Sequence, residues 1–336
     1  MTVIVTGATS FIGRAVVKAL LEEGCRVVAV SRPASAGAGK LQELFEDLKK
    51  QAGAEKKVFG SLELCFCELG EIEKLEKIYK KEELQAKAWL HLGWDGAGSD
   101  KRKDVKLQEK NIGYALQSLH TAAALGCKRF LFSGSQAEYG IRDSLMKETD
   151  SCHPVSEYGK AKVEFYRQAV SWLRQQGERE KMEYVHARIF SVYGPGDHPW
   201  SLVETCRKTF SAGGHMELGA CTQQWNFLHR DDCIKALYRL ATAEDSIGFS
   251  WEHPTENGIY NVSGTEEETR PLRAYVEEMY RLCGEKGTFQ YGKRPPNAEG
   301  QANLIPSAGK LQKTVGFVPE ISFAKGFYDL IDWRKT

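Results

Sequence analysis

Between residue 1 and about residue 195, short apolar runs alternate with amphipathic stretches, and this alternation leaves the chain very few architectures. The runs TVIVT (2–6), CRVVAV (25–30), LELCFC (62–67), AWLHL (88–92), RFLFS (129–133) and MEYVHARIF (182–190) read as strands. Segments 11–24, 40–51, 71–85, 104–126 and 157–177 read as helices. Strands that are apolar along nearly their whole length need cover on both faces. The pattern therefore predicts an α/β protein with a doubly wound parallel sheet, whose ligands bind at the carboxyl ends of the strands.

Beyond Pro195 the rhythm breaks into segments containing Gly and Pro, with separate helices near 200–211, 231–243, 270–283 and 323–333. A smaller C-terminal substrate lobe is expected there, with residues 225–243 returning to the sheet. The division reads as 1–195 plus about 222–248 for the dinucleotide-binding part, and about 196–221 plus 249–336 for the smaller lobe. The chain has 336 residues, enough for a full core without disulfides or metals. Its 46 basic and 45 acidic residues nearly cancel, which disfavours nucleic acid or an anionic membrane as partner. No stretch approaches a membrane span, and Met1 leads straight into a strand-like run, so a soluble cytoplasmic protein is expected. The nine cysteines, odd in number and irregularly spaced, read as reduced thiols. Cys65 and Cys67 read as buried strand residues, since a structural zinc site needs four ligands; no metal is expected.

The first candidate site follows the first strand. TGATSFIG (6–13) is a turn with Gly7 and Gly13 that opens a helix. Backbone N–H groups and the helix dipole there suit a pyrophosphate, with Thr9, Ser10, Phe11 and Ile12 around it. The second strand ends in Ser31 and Arg32, where an NAD enzyme places a carboxylate for the ribose hydroxyl. A hydroxyl and a guanidinium suit a 2′-phosphate instead, so NADP is the favoured cofactor and NAD the alternative. The second candidate site is SEYGKAKVEF, where Tyr158 and Lys162 lie four apart and share a helix face. A tyrosine acting as base near neutral pH must fall from a pKa of about 10 to about 7, roughly 4 kcal/mol of differential stabilisation. One ammonium about 4 Å away at an effective dielectric near 20 supplies about that much. Such a pair occurs by chance at this composition, so its surroundings carry the argument.

Those surroundings resemble the extended short-chain dehydrogenase/reductases, the NAD(P)-dependent nucleotide-sugar epimerase, dehydratase and reductase group. TGATSFIG is similar to their TGxxGxxG loop, with Ser10 in place of the middle glycine. The resemblance implies a Rossmann fold. It further implies a catalytic set of Ser135 (in SGSQAEYG), Tyr158, Lys162 and Asn111, the asparagine holding the lysine through water. Glu68, with Leu69 beside it, falls where the group carries an acidic residue near the adenine, though a surface glutamate fits as well. RIFSVYGPGD (188–197), QQWNFLHRDD (223–232), GKRPPN (292–297) and IPSAGKLQKTVGFVP (305–319) resemble further motifs of the group, so the likeness spans nearly the whole chain. Substrate contacts are expected from Ser135, Gln136, Ser191, Trp225, Arg294 and Trp94. Ser191 replaces an asparagine, Trp225 stands where an arginine often binds phosphate, and Pro306 replaces an aspartate. Trp225 is equally readable as core, and Trp94 as a loop anchor.

The resemblance implies an enzyme acting on a nucleotide sugar; a homodimer is a possible assembly. The favoured reaction is NADPH-dependent reduction of a 4-keto sugar nucleotide; NAD-dependent 4-epimerisation is the alternative, and a non-catalytic NADP-binding regulator a third class. Dehydration is disfavoured because Gln136 and Ala137 follow Ser135, where the dehydratases carry Asp-Glu.

Overall fold

β1 (Thr2–Thr6) enters the interior at once, four of its five residues fully buried, and Ser10 then caps α1 (Phe11–Glu22) through its hydroxyl on the Gly13 N–H at 3.0 Å. α1 turns Val16, Val17, Leu20 and Leu21 inward at helical spacing and presents polar residues to solvent. The computed structural model describes residues 1–33, 35–98, 101–254, 258–295, 300 and 302–332. β2 (Arg26–Ser31), α2 (Ala36–Glu55) and β3 (Ser61–Phe66) follow, then a 3₁₀ segment (Leu69–Lys74) and the single turns α3 (Leu75–Ile78) and α4 (Lys81–Leu84). Next come β4 (Ala86–His91), α5 (Val105–Ala124), β5 (Arg129–Ser135), α6 (Glu157–Gln176) and β6 (Glu183–Ile189). The remainder comprises β7 (Ser191–Tyr193), α7 (Leu202–Ser211), β8 (His215–Glu217), β9 (Gln224–Trp225), β10 (Phe227–His229), α8 (Arg230–Thr242), β11 (Ile259–Val262), β12 (Arg270–Pro271), α9 (Leu272–Leu282), β13 (Thr288–Gln290), α10 (Gly309–Val315) and α11 (Phe323–Asp332).

The main sheet is seven-stranded and parallel throughout, in the order β11-β6-β5-β4-β1-β2-β3. The order reverses between β1 and β4, which opens a crevice at their carboxyl ends. One face is covered by α1, α2, α8 and α10 through Leu20, Leu41, Leu237 and Leu311. The other is covered by α5 and α6 through Leu119, Phe165 and Leu173. A separate core of Val203, Phe210, Tyr275, Met279, Phe323 and Phe327 joins α7, α9 and α11 into the smaller lobe. No helix among the described residues is long and apolar enough to cross a membrane.

The doubly wound α/β reading agrees with this sheet, and three details differ. The seventh strand, β11, lies in the stretch 249–336 assigned to the smaller lobe; its four residues carry too little pattern to reveal a pairing with β6. Residues 225–243 return to the sheet only through α8, because β10 pairs with β7 in a ladder of its own. The single helix expected over 71–85 is broken at Tyr79, whose backbone is extended while its hydroxyl donates to Glu63 Oε1 at 2.6 Å.

Candidate active site

The crevice between β1 and β4 is a cleft of about 640 Å³. Gly7, Thr9 and Ser10 form its floor, Ser31 and Arg32 come from the end of β2, Glu68 and Leu69 from beyond β3, and Trp94 from beyond β4. Gly7 has φ +71°, and a Cβ there would lie 2.6 Å from the Gly93 nitrogen; a Cβ on Gly13 would lie 2.1 Å from the Gly7 carbonyl oxygen. Both glycines are therefore demanded by the backbone itself. Ser10, with φ −72° and ψ 173°, needs no glycine conformation, which explains how the loop tolerates it. Phe11 and Ile12 are half-buried on the first turn of α1, where Phe11 meets His198 edge to face at 6.4 Å.

Ser31 is buried, and its hydroxyl has no hydrogen-bond partner among the described residues. An orphaned buried hydroxyl in a cleft calls for a ligand partner. Arg32 crosses the cleft to an exposed ion pair with Asp95 at 3.9 Å. The glycine turn, the α1 N-terminus facing it and the orphaned Ser31 together fit a dinucleotide: Gly7 to Gly13 would hold its pyrophosphate, and Ser31 with Arg32 its ribose. Lining residues that the sequence reading missed are Ser35, which donates to Thr9 Oγ1 at 3.2 Å, Gly93, Asp95 and Tyr114. Small residues at the start of α2 are the one local signal for the first of these.

The second group lies beside Trp94. Tyr158 and Lys162, on the first turns of α6, are both buried, with the Lys162 Nζ 5.4 Å from the Tyr158 ring centre. Lys162 donates to the Ser133 carbonyl at 2.7 Å, which ties it to the end of β5 two residues before Ser135. Its Nζ stands over the rings of Trp94 at 3.8 Å and Phe132 at 4.4 Å. Burial presses Lys162 well below the ordinary lysine value; the charge of Glu138 opposes this and that of Arg102 adds to it. The Arg102 guanidinium covers the Tyr158 ring at 4.5 Å. Asn111 is buried, and both ends of its amide are engaged by the backbone of Asp95, at 2.8 and 3.1 Å. Trp94, which stands over the Lys162 ammonium, lies on the loop that Asn111 holds.

Ser135 closes β5, and its Oγ accepts from the Ala137 N–H at 3.2 Å while Glu138 Oε1 accepts from the Ser135 N–H at 2.7 Å. Gln136 is half-buried in the turn between them. Glu138 is wholly buried, bonded to His186 Nε2 at 2.9 Å and to Arg188 Nε at 2.9 Å. Burial would raise its pKa; His186, Arg188 and the Ser135 N–H outweigh that and hold it at about 2. Burial lowers His186 against the pull of Glu138, and its two ring nitrogens are both engaged, Nε2 with Glu138 and Nδ1 with the Tyr184 hydroxyl at 2.6 Å. No sequence spacing signals this network, because its partners meet only when β5 and β6 pair.

The remaining expected residues lie apart. Arg294 is exposed and borders a second hollow of about 450 Å³ in the smaller lobe, together with Trp200, Thr205, Glu217 and Gln223. Pro296 and Asn297 of GKRPPN lie outside the described residues. Ser191 is half-buried on β7 opposite Phe227, and Trp225 packs on Phe227 with ring centres 6.2 Å apart. Trp225 also touches the cluster of Tyr139, Met146, Phe190 and Leu304, and neither it nor Ser191 borders either hollow.

A family model described as the NAD dependent epimerase/dehydratase family matches residues 3–262. The ADP-L-glycero-D-manno-heptose-6-epimerase of Cupriavidus pinatubonensis is 29% identical, over 99% of this chain and 98% of its own. Among solved structures, the UDP-glucose 4-epimerase of Thermotoga maritima with UDP-glucose superposes with a TM-score of 0.77 at 20% identity, covering 100% of this chain and 99% of that one. The UDP-glucuronic acid 4-epimerase of Bacillus cereus, in complex with UDP-glucuronic acid and NAD, superposes at 0.75 and 19% identity, covering 99% and 100%.

Proposed function

The chain belongs to the NAD dependent epimerase/dehydratase family, and from that membership we propose that it moves a hydride to or from a ring carbon of a nucleotide sugar, with Tyr158 handling the proton. The observation that carries this reading is the meeting of Tyr158, Lys162 and the end of β5 beside a cleft built for a dinucleotide. When bound, the dinucleotide supplies or accepts the hydride. Tyr158 gives or takes the proton at the sugar oxygen, and the Ser135 hydroxyl donates a hydrogen bond to that same oxygen. Lys162 and the Arg102 guanidinium place positive charge against the Tyr158 ring and favour its phenolate. Arg294 and the second hollow are suited to the nucleoside diphosphate.

Within this class the favoured reaction is reduction of a 4-keto sugar nucleotide by NADPH, supported by Ser31 and Arg32 at the ribose position. A second reading, NAD-dependent 4-epimerisation, is favoured by the epimerases among the relatives. Native mass spectrometry of the purified protein separates them. A site that is empty on purification and filled by added NADPH supports the reductase. Stoichiometric retained NAD⁺, with interconversion of UDP-glucose or a related nucleotide sugar, would establish the epimerase in its place. Binding of neither dinucleotide would overturn both.

A further inference from the structure

We propose that Trp94 is the positioning residue for the Lys162 ammonium, holding it against an aromatic face. The inference rests on the reading of Tyr158 and Lys162 as the proton-handling pair. Lys162 is buried, its Nζ donates to the Ser133 carbonyl, and rings enclose it: Trp94 at 3.8 Å, Phe132 at 4.4 Å and Tyr158 at 5.4 Å. Trp94 is the nearest of these, and its orientation is held from three directions. Its indole N–H donates to Gln108 Oε1 at 2.8 Å, its ring meets Phe132 edge-on at 5.8 Å, and the next residue is clamped by Asn111. Gln108 is itself buried and bonded to the backbone at Gly96 and Lys101. A side chain tied down this thoroughly is a fixed wall of the site.

The physical need for such a wall is plain. The charged and titratable groups facing Lys162 are Tyr158 on its own helix, His91 from β4, Glu138 from the turn after β5, His186 from β6 and Arg102 from the loop before α5. Burial and Arg102 favour the neutral amine, and only Glu138 favours the ammonium by charge. The negative face of an indole stabilises a cation within about 6 Å, most strongly where water is excluded. Trp94 thus helps keep Lys162 charged and aimed without adding a group that titrates, and it does so while bordering the cofactor cleft.

The test reads the phenolate absorbance of Tyr158 against pH in the cofactor-free protein, as the difference between each protein and its Tyr158→Phe counterpart. Wild type, Trp94→Phe and Trp94→Leu are compared; leucine keeps the site dry and apolar but removes the ring face. Loss of that face raises the Tyr158 midpoint by on the order of one pH unit in Trp94→Leu. Trp94→Phe keeps a weaker ring and moves it by less than half as much. Equal midpoints in Trp94→Leu and Trp94→Phe, or no movement in either, would overturn the proposal while leaving the assignment of Tyr158 intact. A wild-type Tyr158 that titrates with ordinary tyrosines near pH 10 would overturn both. Should Trp94→Leu not fold, the protein grown on fluorinated tryptophan keeps the shape and weakens the ring quadrupole. Trp94 is the only tryptophan in cation–π contact with Lys162 among the described residues, so the same upward movement is expected, and its absence refutes the idea.

Discussion

Replacing Glu138 by glutamine removes a charge from the most enclosed ionic network in the described structure while keeping the side chain's volume. The carboxylate is held at about 2 against an ordinary 4.5, and at 1.36 kcal/mol per pH unit this corresponds to about 3 kcal/mol of folding stability. An independent route gives a similar figure. Glu138→Gln leaves the Arg188 guanidinium, 3% exposed and with Nη1 already unpartnered, as a buried positive charge facing an amide. Breaking one side of a buried ion pair costs about 3–5 kcal/mol. With an m-value near 3 kcal/mol/M, urea unfolding followed by circular dichroism should show the midpoint about 1 M lower at pH 7. The sign with pH follows from the lowered pKa. The carboxylate's contribution is fully present above about pH 4.5 and is lost as pH falls through about 2, so the gap between wild type and variant narrows over that window. A gap that is the same at pH 7 and pH 3, or absent at pH 7, would refute the assignment of the stabilisation to the carboxylate charge.

Gly13→Ala places a methyl group 2.1 Å from the Gly7 carbonyl oxygen, so the loop must shift. About 1–3 kcal/mol of stability and most of the dinucleotide affinity should be lost by thermal melting and calorimetric titration; unchanged affinity would remove the loop from the cofactor site. Tyr158→Phe should abolish turnover while dinucleotide titration stays within about a factor of two of wild type, and retained turnover would exclude Tyr158 from the chemistry. Arg32→Ala deletes a charge-assisted bond worth about 1.5–3 kcal/mol, so NADPH affinity should fall by about 10- to 100-fold with NADH affinity nearly unchanged. Equal losses for the two cofactors would rule out a 2′-phosphate at Arg32.

Much of this protein is determined locally and was therefore legible in the sequence. A parallel strand buried on both faces must be apolar along its length, so β1, β2, β4, β5 and β6 announce themselves, while the edge strand β3 shows through its apolar run alone. A backbone that turns at φ +71°, as at Gly7, or that passes 2.1 Å from where a Cβ would stand, as at Gly13, must carry glycine, so both mark the turn beneath the cleft. Tyr158 and Lys162 share a helix face by spacing alone. What lies around those residues was decided by tertiary structure, because it depends on which elements come to lie side by side. Asn111 spans 16 residues to clamp Asp95, and through that loop Trp94 comes to lie over Lys162. Glu138 and His186, 48 residues apart, bond only because β5 and β6 are neighbours. β11 is a strand because β6 offers it an edge, with four residues too few to declare a period of their own. Local periodicity encodes backbone conformation and one buried face, whereas the charge, dielectric and contacts of a site are properties of the assembled packing.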